Sequence, residues 1–487
     1  MHPHAPVLGR TSRRSRRGVP GSRVQGPPHR TRRARRPARR RRWRALRPIR
    51  GRRDPHRCRR RKCPRRGSAS RRDATTLPCA LGWPEGERVS SRVPNRSSHE
   101  GAMDDVTRFG RGQVAGVPFS WRLGCRGHPG PVDAWRLLVE QAIRTDGHLL
   151  DASGLLGVPG RAALRSGGAE GVTILEPSAA GLHALEHDLE GEDLTLAGRV
   201  SVLAGLPWEA EPGAYDGVLL APPAERGTAR VHAELASAAQ ALKPDGVAWV
   251  LLDRDRGAKR YARDARTWFA DVAVTSRAGT ARLVRLASPI GAAPVDPWIE
   301  VADPRPLEGG PWFALPGTWS PDAVDPGTRL LLTALASHDV LAAGQRVLDL
   351  GCGWGPLTVA AQAAGAHVTA IDDDLAAVRS CARNAPTATV QHADVVHAAD
   401  VDALSSRFDV VLVNPPFHVG KGVRMALGAT FVRAALAATS SRGGAWIVAN
   451  EALDYERVAR GAGGDAREVI RRHRFKVLHL SPTTLER

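Results

Sequence analysis

The sequence runs through one order of elements twice. From Arg346 onward, short apolar runs alternate with helical stretches: Arg346 to Leu350, a helix from Pro356, His367 to Asp372, a helix from Leu375, Thr389 to Asp394, Phe408 to Asn414, a helix near Arg424 to Ala438, Ala445 to Asn450 and Phe475 to Leu480. Such alternation builds a mostly parallel, doubly wound sheet whose binding site lies at the carboxyl ends of its strands. The earlier copy reads His148-Leu-Leu-Asp151-Ala-Ser-Gly-Leu-Leu-Gly-Val-Pro, then Gly171-Val-Thr-Ile-Leu-Glu176, Tyr215-Asp-Gly-Val-Leu-Leu-Ala221-Pro-Pro and Trp249-Val-Leu-Leu-Asp253. The expected fold class is α/β, with two such domains in tandem.

In the later copy, Val347-Leu-Asp349-Leu-Gly351-Cys-Gly353-Trp-Gly355-Pro is a strand, a glycine-rich turn and a helix start. Glycine lets backbone approach a ligand closely, and the helix amino terminus presents unpaired N–H groups. The spacing Gly-x-Gly-x-Gly, and not Gly-x-Gly-x-x-Gly, favours S-adenosylmethionine over NAD. An acid holding ribose hydroxyls should end the next strand. Asp372 does so, 23 residues after Asp349, and Asp394 ends a third segment where a carboxylate can accept from an adenine amine. The candidate cofactor residues are Asp349, Gly351, Gly353, Gly355, Asp372, Asp394 and Asn414.

Asn414-Pro415-Pro416-Phe417 follows the apolar run Phe408-Asp-Val-Val-Leu-Val413, 65 residues after Asp349. Alone it reads equally as a strand ending in a Pro-Pro turn; after the three preceding site elements it predicts an amino-group methylation site. A conjugated nitrogen has a delocalised lone pair, so the protein must localise it. The Asn side-chain carbonyl and the next backbone carbonyl accept from an NH2 group and aim its lone pair at an electrophile. Proline brings no competing N–H, and Phe417 offers a face for a flat base. The candidate catalytic residues are therefore Asn414, Pro415, Pro416 and Phe417. Lys421 and Arg424 are candidates for phosphate contacts or a solvated loop, and His418 for contact with the base or simple packing.

In register, the first copy keeps its strands and loses these groups. Gly351 and Gly353 correspond to Ser153 and Leu155, Asp394 to Gly205, and Asn414 to Ala221. Only Glu176 survives as a ribose acid, so this half is expected to be a non-catalytic scaffold or RNA-binding partner. Between the copies, Asp325-Pro326 signals a helix start. Trp319 and Thr328 either cover the cofactor or belong to a capped helix with a buried Trp.

Residues 1–100 hold 32 Lys and Arg against 5 Asp and Glu, or +27; the remainder holds 39 against 44, or −5. This Arg/Pro-rich arm lacks apolar periodicity and should be disordered. It reads as an RNA-binding tail, a targeting peptide or sequence upstream of the start codon. No apolar stretch follows the arginine pairs, which disfavours targeting, and a misassigned start at Met103 is the favoured reading. The expected organisation is an arm at 1–102, a degenerate domain at 103–292, a linker and pre-motif at 293–326 and a catalytic domain at 327–487. No apolar run is long enough to span a membrane, and six scattered cysteines make neither a disulfide framework nor a metal site, which fits a reducing cytoplasm.

These residues resemble the class I methyltransferases with a small-domain motif, and in particular the tandem-domain guanine-N2 ribosomal RNA methyltransferases. The resemblance covers Met103 to Arg487. Its carriers are Asn414-Pro-Pro-Phe-His418 with Val-Gly-Lys421, Ile447-Val-Ala-Asn450, Arg474-Phe-Lys476 and Pro316-Gly-Thr-Trp319. It implies Rossmann-like domains of which the first is degenerate, S-adenosylmethionine as methyl donor, no metal, and a guanine of ribosomal RNA as acceptor, with 16S favoured over 23S. Partners would be ribosomal RNA or a ribosomal subunit and no membrane; a cytoplasmic monomer is expected. Phe417-His418 separates the chain from relatives ending Asn-Pro-Pro-Tyr, which act on protein glutamine or adenine. Trp319 departs from the Phe often found there. N5-glutamine methylation of a translation factor and a non-catalytic role in ribosome assembly are the rival readings.

Overall fold

The computed structural model describes residues 109–122, 125, 132–191, 198–291, 295–395, 408–416 and 421–483. All lie in one compact unit, Val93–Arg487. The arm and residues 417–420, including Phe417 and His418, fall outside the described residues.

Each copy folds around a seven-stranded sheet. In the second, the strands lie side by side as Thr389–His392, His367–Asp372, Arg346–Leu350, Phe408–Val413, Thr439–Asn450, Phe475–Pro482 and Gly464–Arg472. The first five are parallel and the last two form an antiparallel hairpin against them. The first sheet repeats this order with Val200–Ala204, Ala169–Glu176, Gly147–Ala152, Tyr215–Leu220, Leu242–Asp253, Ala281–Pro289 and Phe269–Ala278. Central strands read as unbroken apolar runs because helices cover both faces: Val347, Leu348 and Leu350 are fully buried, as are Val411, Leu412 and Val413.

Two expectations shift by small steps. The strand from Thr389 ends at His392, two residues before Asp394. Glu176 pairs with Ala204 and Asp372 with His392, so the counterpart of Asp394 is Leu206 and not Gly205. Edge strands carry no flanking motif, so their register is the weakest to read. Asn414 does correspond to Ala221, each following a strand whose last residue pairs with the residue before the glycine-loop position.

The copies meet through equivalent loops. Ala179 N–H donates to Asp373 O at 2.9 Å, and Leu375 N–H donates to Pro177 O at 2.8 Å. Residues 177 and 179 of one copy correspond to 373 and 375 of the other, so the pair of bonds is reciprocal. Ser178 and Asp374, also equivalent, form the bridge between them. Each caps the helix that follows, Ala179–Glu190 and Leu375–Asn384. The ring of His392 sits against both equivalent carbonyls, Pro177 O at 3.1 Å and Asp373 O at 2.9 Å.

Candidate active site

Strand register assembles the site. Leu350 pairs with Ile371 on one side and Val413 on the other, so Gly351, Asp372 and Asn414 emerge at three adjacent strand ends. Gly351 N–H donates to Ile371 O at 2.8 Å, turning the chain back over the sheet. At Gly355, φ is +95° and a β-carbon would stand 2.9 Å from Cys381 Sγ; this glycine is required by packing as it opens the helix Pro356–Ala363. At Gly353, φ is +58° and a β-carbon would meet nothing within 4 Å, so the loop turns bare backbone toward open space.

Asp372 is half-buried. Its Oδ2 accepts from Gly353 N–H at 2.9 Å and its Oδ1 from Asp374 N–H at 2.9 Å. Burial, helped by the neighbouring Asp373 carboxylate, raises its pKa to about 6. Asp349 is fully buried beneath the loop; Thr358 Oγ1 donates to its Oδ2 at 2.6 Å, and burial pushes it up to about 7. Its Oδ1 is buried without a hydrogen-bond partner among the described residues. The equivalent Asp151 is closed off instead, because Ser153 donates to Oδ1 through both N–H and Oγ–H, while Gly160 N–H donates to Oδ2. Glu176, 1% exposed, turns inward to accept from Ser178 N–H.

Asp394 is met by the first copy. Arg122 Nη2 stands 2.8 Å from its Oδ2, both side chains being almost wholly buried, and Arg122 also contacts His183 Nδ1. Removing one member of a buried pair leaves a charge uncompensated. Arg122→Ala is expected to destabilise the chain by about 3–5 kcal/mol, read as a lower urea midpoint, and a second change, Asp394→Asn, should restore part of the loss. An unchanged midpoint would rule the pair out as a structural link.

Asn414 is the most informative residue. Its Nδ2 donates to Asp325 Oδ2 at 3.1 Å and to Thr328 Oγ1 at 2.8 Å, while its Oδ1 is buried without a partner among the described residues. A carboxylate can only accept, which fixes which end of the amide faces Asp325. Pro415 is buried and Pro416 exposed beyond it. Lys421 opens the helix Lys421–Ala438, which also contains Arg424; their side chains fall outside the described residues.

Asp325, read from sequence only as a helix cap, also binds Asn414. Asn384 was missed entirely; its Nδ2 donates to Trp354 O at 2.8 Å and Phe313 O at 2.7 Å, tying the glycine loop to the pre-motif. Trp354 Nε1 donates to Ser320 O at 3.1 Å, while neighbouring Trp319 is 49% exposed, not the buried Trp of the structural reading. Among the described residues, no group of three or more His, Cys, Asp or Glu is placed to hold a metal, and no helix is long and apolar enough to cross a membrane.

Residues 311–479 match the methyltransferase small domain family. A ribosomal RNA small subunit methyltransferase C of Salmonella paratyphi B is 30% identical over 244 residues, covering 48% of this chain and 68% of the relative. The chain belongs to the ribosomal RNA small subunit methyltransferase C family. The namesake from Erwinia tasmaniensis is 35% identical over 166 residues, 34% of this chain, which there spans about half the relative's length, 47%. In structure, the chain is similar to a 16S rRNA N2 G1207 methyltransferase of T. thermophilus solved with AdoMet and guanosine. The TM-score is 0.63 at 31% identity, covering 78% of this chain and 99% of that one.

Proposed function

We propose that the chain transfers the methyl group of S-adenosylmethionine to the exocyclic N2 amine of a guanine in 16S ribosomal RNA, acting as a cytoplasmic monomer. The observation that carries this reading is the Asn414 amide, tethered through its NH2 end and left with a buried carbonyl oxygen that lacks a partner among the described residues. An orphaned buried acceptor is costly, and native proteins keep few of them outside functional sites. An amine donor satisfies it. The two ligands of the T. thermophilus relative support the same pair here.

The residues fit the methyl donor. Open space before Gly353 admits close backbone approach, and half-buried Asp372 beside it offers a carboxylate to a ribose diol. Asp349 accepts from Thr358, on the helix that follows the loop. Asp394, committed to Arg122, is assigned to the wall of the adenine end and not to direct contact. S-adenosylmethionine supplies an electrophilic methyl on a sulfonium, and the electron pair of the broken carbon–sulfur bond stays on sulfur. Asn414 Oδ1 and the Pro415 carbonyl accept from the target amine, directing its lone pair and stabilising the positive charge it acquires. We assign base stacking to Phe417 and contacts with the RNA to His418, Lys421 and Arg424. The methylated amine then loses a proton to water. We assign this chemistry to residues 327–487, the pre-motif support to 293–326 and a closed, non-catalytic copy to 103–292.

The test is incubation with methyl-labelled S-adenosylmethionine, separated ribosomal subunits and protein fractions, followed by mass spectrometry of the digests. N2-methylguanosine in 16S RNA is expected. Label confined to 23S RNA would move the target, and methylated glutamine without labelled RNA would replace the reading.

A further inference from the structure

The two oxygens of Asp325 perform separate tasks. Oδ1 accepts from Gly327 N–H at 2.9 Å and Thr328 N–H at 3.3 Å, capping the helix Pro326–Ser337, while Oδ2 accepts from Asn414 Nδ2 at 3.1 Å. A cap needs only the first. We infer that Asp325, with Thr328, is a positioning residue for methyl transfer: it selects which end of the Asn414 amide faces the acceptor and strengthens that end as a hydrogen-bond acceptor. This rests on the reading of Asn414 as the residue that receives the target amine.

An Asn amide turned by half a revolution presents NH2 where it had presented C=O, with almost no change of shape. In the reversed state Asn414 would repel the amine it should hold. Asp325 excludes that state, because Oδ1 would then oppose a carboxylate oxygen with no proton between them. Thr328 Oγ1, 2.8 Å from Nδ2, takes the second proton of the same NH2 group. With both protons engaged, the amide cannot swing.

Charge supplies the second effect. Donation from Nδ2 to an anionic acceptor draws electron density through the amide toward Oδ1, and hydrogen bonds in series reinforce one another. As positive charge develops on the target nitrogen, the Asp325 carboxylate lies behind the amide that contacts it. The first copy carries Ala221 at the Asn414 position and has no amide there to orient.

Asp325→Asn separates the tasks, since an Asn oxygen still caps the helix while its NH2 group can no longer accept from Asn414. The expected result is a fall in kcat of about thirtyfold or more, with the midpoint of thermal unfolding and the affinity for S-adenosylmethionine little changed. Thr328→Val should lower kcat by about tenfold and Thr328→Ser should restore it. A second measurement needs no turnover. The chain has four asparagines, at 95, 384, 414 and 450, so selective labelling isolates their side-chain amides for NMR. The Asn414 NH2 protons, identified by their loss in Asn414→Ala, should be slow to exchange in the wild type and fast in Asp325→Asn. If the wild type methylates an amine other than guanine N2, both expectations stand and only the substrate reading fails. Unchanged kcat, unchanged exchange, or a loss wholly explained by unfolding would overturn the role of Asp325 whatever the substrate.

Discussion

Asn414→Ala is expected to lower methyl transfer by at least about a hundredfold while leaving affinity for S-adenosylmethionine within severalfold. The substitution recreates in the second copy the Ala221 already present in the first. It removes an acceptor from the end of the strand Phe408–Val413 without touching Gly351, Gly353 or Asp372, which lie on the neighbouring strand ends. One positioned hydrogen bond to charge that develops only in the transition state belongs in kcat, because the ground-state amine donates far more weakly. Asp325 Oδ2 and Thr328 Oγ1 lose a donor in the variant, but Asp325 keeps its cap through Oδ1, so the fold should survive. Single-turnover assays on small subunits, paired with calorimetry of the cofactor, read the two quantities separately. Equal losses in both would place Asn414 in cofactor binding alone.

Asp372→Ala and Gly353→Leu should each abolish measurable cofactor binding, whereas Glu176→Ala should leave one equivalent bound. Asp372 holds the Gly353 N–H and is the carboxylate we propose for the ribose. Leucine at Gly353 would send its side chain into the open space before the loop from a left-handed backbone that L-residues resist. Glu176 is buried against its own helix start and reaches no such space. Two equivalents in the wild type, or loss of binding in Glu176→Ala, would show that the first copy is open.

The pH dependence has a definite sign. Asp372 titrates near 6, and a ribose diol is best accepted by its ionised form. Cofactor affinity should be full above that pH and weaken as pH falls through it, by about tenfold per unit once the group is protonated. Stability of the free chain runs the other way. Asp349 near 7 and Asp372 near 6 hold protons more tightly folded than unfolded, where an Asp titrates near ~3.9. Their contribution is fully present below about pH 4 and is lost as pH rises through 6 to 7. Asp349→Asn should flatten that part of the profile.

The strand ends were legible because local chemistry marks them. Leu350-Gly351, Ile371-Asp372 and Val413-Asn414 each switch abruptly from buried apolar residues to the group that emerges, and a parallel sheet aligns such switches at one edge. Asp325-Pro326 was legible as a cap for the same local reason. What could not be read were partners far apart in sequence. Nothing near Asp325 says that its second oxygen meets Asn414, 89 residues on. Nothing near Asp394 announces Arg122, which arrives from the other copy. The hairpin Gly110–Val114 with Val117–Trp121 was likewise missed, being too short and glycine-rich to show alternation.

The reciprocal bonds between Pro177, Ala179, Asp373 and Leu375 have the form of a two-fold contact between identical subunits, in which a surface recognises its own copy. The chain therefore carries within itself the geometry of a homodimer. Between separate molecules such a contact dissociates on dilution; joined through residues 290–325, its halves face each other at a fixed local concentration, on the order of millimolar even for a flexible tether. Pairing then no longer depends on how much protein is present. Under that arrangement one half can bury Ser153, Leu155 and Glu176 at its own strand ends and still serve as the other's partner, because recognition resides in the loop that both retain.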